Sequence, residues 1–305
     1  MIKNLRIPYQ GSKNKISLNL IREMRKYKPK ARYFYDLFGG GGSMSFTALQ
    51  LGYNVIYNEF NTDLANFMQF IIDRIRDKEK SKYGLLPDEY YKFVTRKIFI
   101  EQKLLKTNYA EFCRLIYSFG NDCKSYIFGE EIEEIKKQAH EYLYKNGYNG
   151  TTEARVKLLK QFKKDKNIID RLELQQLERL QQLEQLEQLQ RLQQLQRLQQ
   201  FEIFNKSYQD ITIKKNDEDI IIYCDPPYRK TKGYRNNNFN FNEFDKWVLN
   251  HDKTIFISEY ETPFYEIFNI DKICTMSVTN KNKKTVEKLF CNKNLKSRDK
   301  QLTLF

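Results

Sequence analysis

This 305-residue chain has few metal-binding or cross-linking side chains: five cysteines, two histidines and no Cys-x-x-Cys pair. The cysteines, at positions 113, 123, 224, 274 and 291, are odd in number, so a disulfide framework is not expected and reduced thiols are. With His140 and His251 as the histidines, the ligand set of a zinc site is missing, and no metal is expected. No uncharged apolar run reaches the roughly 18 residues of a membrane span. Met1-Ile2-Lys3-Asn4-Leu5-Arg6 lacks the apolar core of a signal peptide, and the expected compartment is the cytoplasm. Acidic residues are the minority sign. The 39 Asp and Glu face 53 Lys and Arg, giving a formal net charge of +14. That excess favours a polyanionic partner, because each neutralised phosphate releases counterions. The 22 Phe and 21 Tyr suit base stacking where they interleave with basic residues, although most belong in a core.

The most informative stretch is Asp225-Pro226-Pro227-Tyr228. It follows Asp219-Ile220-Ile221-Ile222-Tyr223-Cys224, an apolar, β-branched run of the kind that forms a buried strand. A carboxylate there stands at the carboxyl edge of a sheet, where open α/β sheets bind ligands. The two prolines fix φ and remove two backbone donors. Asp225 can accept a hydrogen bond from an exocyclic amine, and Tyr228 offers a flat face to a planar base. A Pro-rich turn after a strand is the plain alternative.

A second constellation lies near the start. Tyr33-Phe34-Tyr35 reads as a strand running into Asp36-Leu37-Phe38-Gly39-Gly40-Gly41-Gly42. A helix begins near Ser43, a good cap residue, and stops at Gly52. Asn54-Val55-Ile56-Tyr57 is a second strand ending at Asn58-Glu59. Strand, glycine turn, helix, strand and acid in that order form a nucleotide-binding signature. The acid can accept hydrogen bonds from ribose hydroxyls.

The rest of the chain divides by composition. A helix is expected through Ile16-Leu18-Leu20-Ile21-Met24, ending at Pro29. Residues 65–170 are helical and charged, with helices after Asn61-Thr62-Asp63 and from Asp88 to Leu105. Between 112 and 129, Arg114, Asn121, Lys124 and Tyr126 mix with glycines and aromatics. That mixture suits either a groove-reading segment, with Asn121 on a base edge, or a packed turn with the amide as a cap. Leucine recurs at every third position from Leu174 to Leu198. On an α-helix that stripe falls behind by about 60° per step, so a two-helix zipper is disfavoured and an irregularly packed helix is expected over 171–200. Strands are expected at 201–204, 219–224, 254–257, 270–278 and 285–291, and a helix at 242–249. The basic, Asn-rich segment 229–240, with Arg229 and Lys232, fits a loop beside DNA.

Four separated motifs resemble, in order, those of the Dam-like, D12-class DNA adenine N6-methyltransferases, particularly phage-type members. Pro8-Tyr9-Gln10-Gly11-Ser12-Lys13 is similar to the N-terminal motif that contacts S-adenosylmethionine through an aromatic and a lysine. Asp36 to Gly42 is similar to the glycine loop, Asn58 to Leu64 to the acidic motif, and Asp225 to Tyr228 to the catalytic motif. Tyr9 replaces a frequent Trp and Glu59 a frequent Asp. The resemblance implies an α/β, Rossmann-like class I methyltransferase sheet built from 1–64 and 201–305, with 65–170 as a helical target-recognition insertion. It implies S-adenosylmethionine held by Tyr9, Lys13, Asp36, Phe38, Gly40, Gly42, Glu59 and Asp225. It assigns catalysis to Asp225, Pro226, Pro227 and Tyr228 on an adenine flipped from double-stranded DNA. It places Arg114, Asn121, Lys124, Tyr126, Arg229 and Lys232 at the DNA. It also implies a bacterial or phage-infected cytoplasm, and it allows a cognate restriction enzyme as partner. An N4-cytosine or RNA amine methyltransferase, an inactive DNA-binding protein and a glycine-loop oxidoreductase are the alternatives.

Overall fold

In a computed structural model, the described residues are 7–9, 11–79, 81–82, 84–119, 122–148, 152–165, 198–229, 239–275 and 282–295. Along these residues run α1 (Ser17–Tyr27), β1 (Tyr33–Asp36), α2 (Ser43–Gln50), β2 (Asn54–Asn58), α3 (Thr62–Arg76), α4 (Arg96–Gln102), α5 (Asn108–Ile116), α6 (Glu130–Lys145) and α7 (Thr152–Asp165). Then come β3 (Phe201–Phe204), β4 (Ile220–Cys224), α8 (Phe241–Asn250), β5 (Ile255–Glu259), β6 (Tyr265–Thr275) and β7 (Asn282–Cys291). The chain divides into two compact units. One comprises Met1–Asn4, Ser12–Ala65 and Gln199–Phe305; the other comprises Leu5–Gly11 and Asn66–Leu198. The second unit interrupts the first in sequence, and Leu5–Gly11, with Tyr9, groups with it and not with the sheet.

The first unit is a seven-stranded sheet in the order β3-β2-β1-β4-β5-β7-β6. Strands β1 to β5 are parallel neighbours, and β7 runs antiparallel between β5 and β6. This is the expected Rossmann-like methyltransferase sheet. The central segments Phe34–Tyr35, Val55–Tyr57 and Ile220–Cys224 are apolar at successive positions because both faces of the sheet are covered there. On one face Tyr35, Ile56, Ile220, Ile222 and Ile257 pack with Phe244 and Val248 of α8. From the alternate positions, Phe34 stacks on Tyr223, and Tyr57 and Phe46 of α2 stack on Phe201. The order reverses between β1 and β4, since β2 and β3 extend one way and β5 the other. Ligand crevices form at such a point.

The glycine turn after β1 is close-packed. Gly39 N–H donates to Asn58 O at 2.8 Å, and a Cβ on Gly39 would lie 2.1 Å from the Tyr57 ring. Tyr57 is fully buried and donates its hydroxyl to Gly40 O at 2.7 Å. Gly40 and Gly42 take φ of 50° and 77°, which L side chains adopt at a cost. Ser43 is not the cap it was expected to be. Gly42 occupies that position without a side-chain bond, and Ser43 Oγ pairs with Ser12 Oγ at 2.7 Å.

The second unit contains most of α3, and α4 to α7. The helix expected over 88–105 is broken. Asp88–Tyr91 is a 3₁₀ turn, and α4 starts only after Thr95, whose hydroxyl accepts from Ile98 N–H. Pro87 and an extended Lys92 interrupt the pattern. Of the Leu/Gln tract, 171–197 lie outside the described residues, and Leu198–Gln200 is a 3₁₀ turn. Phe93, Phe128 and Tyr144 surround His140 or each other, and the buried imidazole Nε2 bonds Tyr91 O at 2.6 Å. Burial pulls its pKa down to about 4.

Two outcomes follow. Gly39→Ala should cost about 1–3 kcal/mol of folding free energy in urea unfolding, because the fully buried Tyr57 ring has no room to yield. Unfolded His140 binds its proton more readily than folded His140, so stability is complete above about pH 6.5 and falls as pH drops toward 4. Between pH 7.5 and 4.5 the helical unit should lose roughly 2–3 kcal/mol, and His140→Gln should flatten that profile.

Candidate active site

Asp36 ends β1 and Asp225 follows β4, the two strands that flank the reversal point. The register pairs Asp36 with Tyr223, and Leu37 N–H donates to Tyr223 O at 3.0 Å. The carboxylates of Asp36 and Asp225 are therefore brought to one edge from adjacent strands. The segment before α1 adds Lys13. Its carbonyl accepts from Ile16 and Ser17 N–H in the first turn, and its side chain is 4% exposed. Lys13 Nζ donates to Asp225 Oδ1 at 2.8 Å and lies 3.6 Å from Glu287 Oε1. It also sits 4.7 Å from the centroid of the Tyr228 ring.

Tyr228 is buried and donates its hydroxyl to Glu287, while Tyr260 lies perpendicular to its ring at 4.7 Å between centroids. Burial, reinforced by Asp225 and Glu287, pushes its phenol well above the ordinary range. Pro226 is buried and Pro227 half-buried. Arg229 N–H and Tyr260 N–H donate to Glu259, whose carboxyl burial pushes upward.

Around the glycine turn, Glu59 accepts from Gly40 N–H at 2.9 Å and Asn61 N–H at 2.7 Å. Asp36 is fully buried. Its Oδ2 accepts from Ser45 Oγ at 2.6 Å, and its Oδ1 has no partner among the described residues. Burial lifts its pKa to about 7, with Asp225 and Glu59 adding repulsion and Ser45 opposing. Phe38 stacks on Tyr208 and meets Phe239 and Phe244 edge-on.

The site therefore gathers Lys13, Asp36, Phe38, Gly40, Gly42, Glu59, Asp225 and Tyr228 within one unit. Tyr9 belongs to the other unit. The DNA-contact expectations fare differently. Asn121 and Lys232 lie outside the described residues. Lys124 is exposed. Arg114 corrects the expectation: it is buried, pairs with Glu111 at 2.8 Å and donates to Lys103 O and Leu105 O. Tyr126 donates its hydroxyl to Val94 O. Arg229 is held by Asp245 at 2.6 Å and over the Phe241 ring.

Glu287 and Ser45 escaped the sequence reading. Ser45 has no motif of its own. Glu287 did leave a signal, since it shares one strand face with Leu289 and Cys291, and all three are buried. A carboxylate in a core-facing row needs a partner. The four described free cysteines are buried, and burial raises Cys113, Cys224 and Cys291, so those three are poor nucleophiles. No helix among the described residues is long and apolar enough to cross a membrane.

The Asp36 carboxyl should titrate with a midpoint of about 7 by carbon-detected NMR. Ser45→Ala should move that midpoint upward, because the hydroxyl favours the ionised form.

A search of curated proteins gave no match. A family model does match, over residues 9–264, and it spans both the glycine turn and the Asp225 motif. The chain belongs to the family of D12 class N6 adenine-specific DNA methyltransferases.

Proposed function

We propose that this adenine-specific DNA methyltransferase takes its methyl group from S-adenosylmethionine and delivers it to the N6 amine of an adenine flipped out of duplex DNA. The reading is carried by the Lys13–Asp225 pair at the sheet's reversal point, with a buried Asp36 on the adjacent strand whose Oδ1 has no partner among the described residues. The residues suit this donor. Carboxylates outnumber ammonium groups here among the described residues: Asp225 and Glu287 both face Lys13, and Asp36 lies within electrostatic reach of Asp225 and Glu59. A cationic ligand offsets that imbalance. When bound, the donor supplies an electrophilic methyl on a sulfonium.

The protein residues do the positioning. Asp36 offers Oδ1 to a positively charged group. Glu59, fixed by two backbone N–H bonds, presents its remaining lone pairs to ribose hydroxyls. The exposed Phe60 beside it adds an apolar face. Gly40 and Gly42 keep the turn free of side chains, and Phe38 packs beneath the loop. Tyr9 is assigned to the same ligand on the strength of its motif.

On the substrate side, Asp225 and the Pro226 carbonyl accept hydrogen bonds from the exocyclic amine, and Pro227 holds the loop rigid. Those bonds direct the nitrogen lone pair toward the methyl. Preorganised acceptors and orientation supply most of the rate. Tyr228 faces the flipped base. Lys124, Asn121, Tyr126 and Lys232 are assigned to the nucleic acid with the basic segment around Arg229.

Nucleoside mass spectrometry of unmethylated duplex DNA, incubated with the protein and S-adenosylmethionine, should yield N6-methyladenine. Asp225→Ala should lower the yield by at least about a hundredfold while the cofactor still binds. Full activity in that variant contradicts the role of Asp225.

A further inference from the structure

Lys13 occupies both positions that the proposed mechanism reserves for the target base. Its ammonium donates to Asp225 Oδ1 at 2.8 Å, where the adenine amine would bind. It also lies 4.7 Å from the Tyr228 ring centroid, where the base would stack. Tyr228 is 5% exposed, with Lys13 over its ring and Tyr260 perpendicular to it. A base reaches that ring only by displacing one of these neighbours. An ammonium on Asp225 also draws charge from the carboxylate and weakens it as an acceptor for a second donor.

A displaced ammonium in this pocket needs another counter-charge, because a buried unpaired ion is strongly unfavourable. Glu287 supplies one. Its side chain is fully buried, its Oε1 is 3.6 Å from Lys13 Nζ, and it accepts the Tyr228 hydroxyl. Moving from 3.6 Å to hydrogen-bond distance takes a shift of less than about 1 Å. Lys13 can change partner without leaving the pocket.

We propose that Lys13 is a placeholder for the target amine and that it exchanges Asp225 for Glu287 as the base enters. Glu287 is then a positioning residue for the reaction: it receives the ammonium and anchors the Tyr228 phenol. The exchange frees Asp225 Oδ1 for the amine and carries the ammonium toward the hydroxyl end of the Tyr228 ring, where Glu287 is bound. This rests on the assignment of Asp225 and Tyr228 as the base-binding pair.

Single-turnover methylation of duplex DNA tests it with Glu287→Gln, Lys13→Met and the double variant. Glu287→Gln should slow methylation at saturating DNA by about tenfold or more, with cofactor affinity held within about twofold. Adding Lys13→Met should restore part of the lost rate at saturating S-adenosylmethionine, the condition set because the motif also assigns Lys13 to the cofactor, since no ammonium is left to relocate. A purely structural Glu287 gives a double variant no faster than Glu287→Gln, and that result overturns the exchange. So does a Glu287→Gln rate close to wild type. If Glu287→Gln fails to fold, the wild-type structure with target duplex and an unreactive cofactor analogue decides. Lys13 Nζ within about 3.2 Å of Glu287 and released from Asp225 supports the exchange; Lys13 still on Asp225 with the base in place overturns it. An inactive wild type instead refutes the functional reading on which the exchange stands.

Discussion

One ammonium set among carboxylates organises this site. Lys13 reaches from the segment before α1 to Asp225 beyond β4, and so ties the start of the sheet unit to residues more than 200 positions later. Both partners are largely removed from water, where a lone charge is strongly disfavoured and a paired one is held in place. Tyr228, Glu287 and Asp36 take their environments from that pair. The phenol packs under the ammonium, Glu287 binds the phenol, and Asp36, raised chiefly by its burial, is raised further by the Asp225 charge. A pocket with this surplus of acid is poised for a cation.

Backbone geometry puts the charges there. Parallel strands end at the same edge, so the residues following β1, β2 and β4 converge without any long loop. The reversal of strand order between β1 and β4 leaves a gap at that edge. Gly39 lets the turn press against Tyr57, and Tyr57 returns a hydrogen bond to Gly40. The antiparallel β7 then carries Glu287 into the same buried layer from the far end of the chain.

Much of this was legible in the residues. Ile220-Ile221-Ile222-Tyr223-Cys224 could be read as a strand buried on both faces, and Asp225 as its terminus, because an apolar run of that length, preceded by acidic residues and followed by two prolines, has few other uses. The glycine run and Glu59 marked the first crossover. The helical break at Asp88–Lys92 was less visible, since its periodicity is helical and the extended backbone at Lys92 leaves no signature in the residue types. Arg114 was misread because composition does not distinguish an arginine aimed at phosphate from one pinned by a carboxylate three residues earlier and by carbonyls nine and eleven residues earlier. Glu287 needed the strand register, which pairs residues distant in sequence. Ser45 needed the helix rotation that faces it toward Asp36.

The claim that the pocket holds a cation against Asp36 is tested most directly by calorimetry of S-adenosylmethionine binding at pH 7 in buffers of different ionisation enthalpy. With Asp36 poised at about 7, binding should release roughly half a proton as the cation forces the carboxyl to ionise. S-adenosylhomocysteine, which lacks the sulfonium charge, should release less. No proton release, with equal behaviour of the two ligands, would contradict the account.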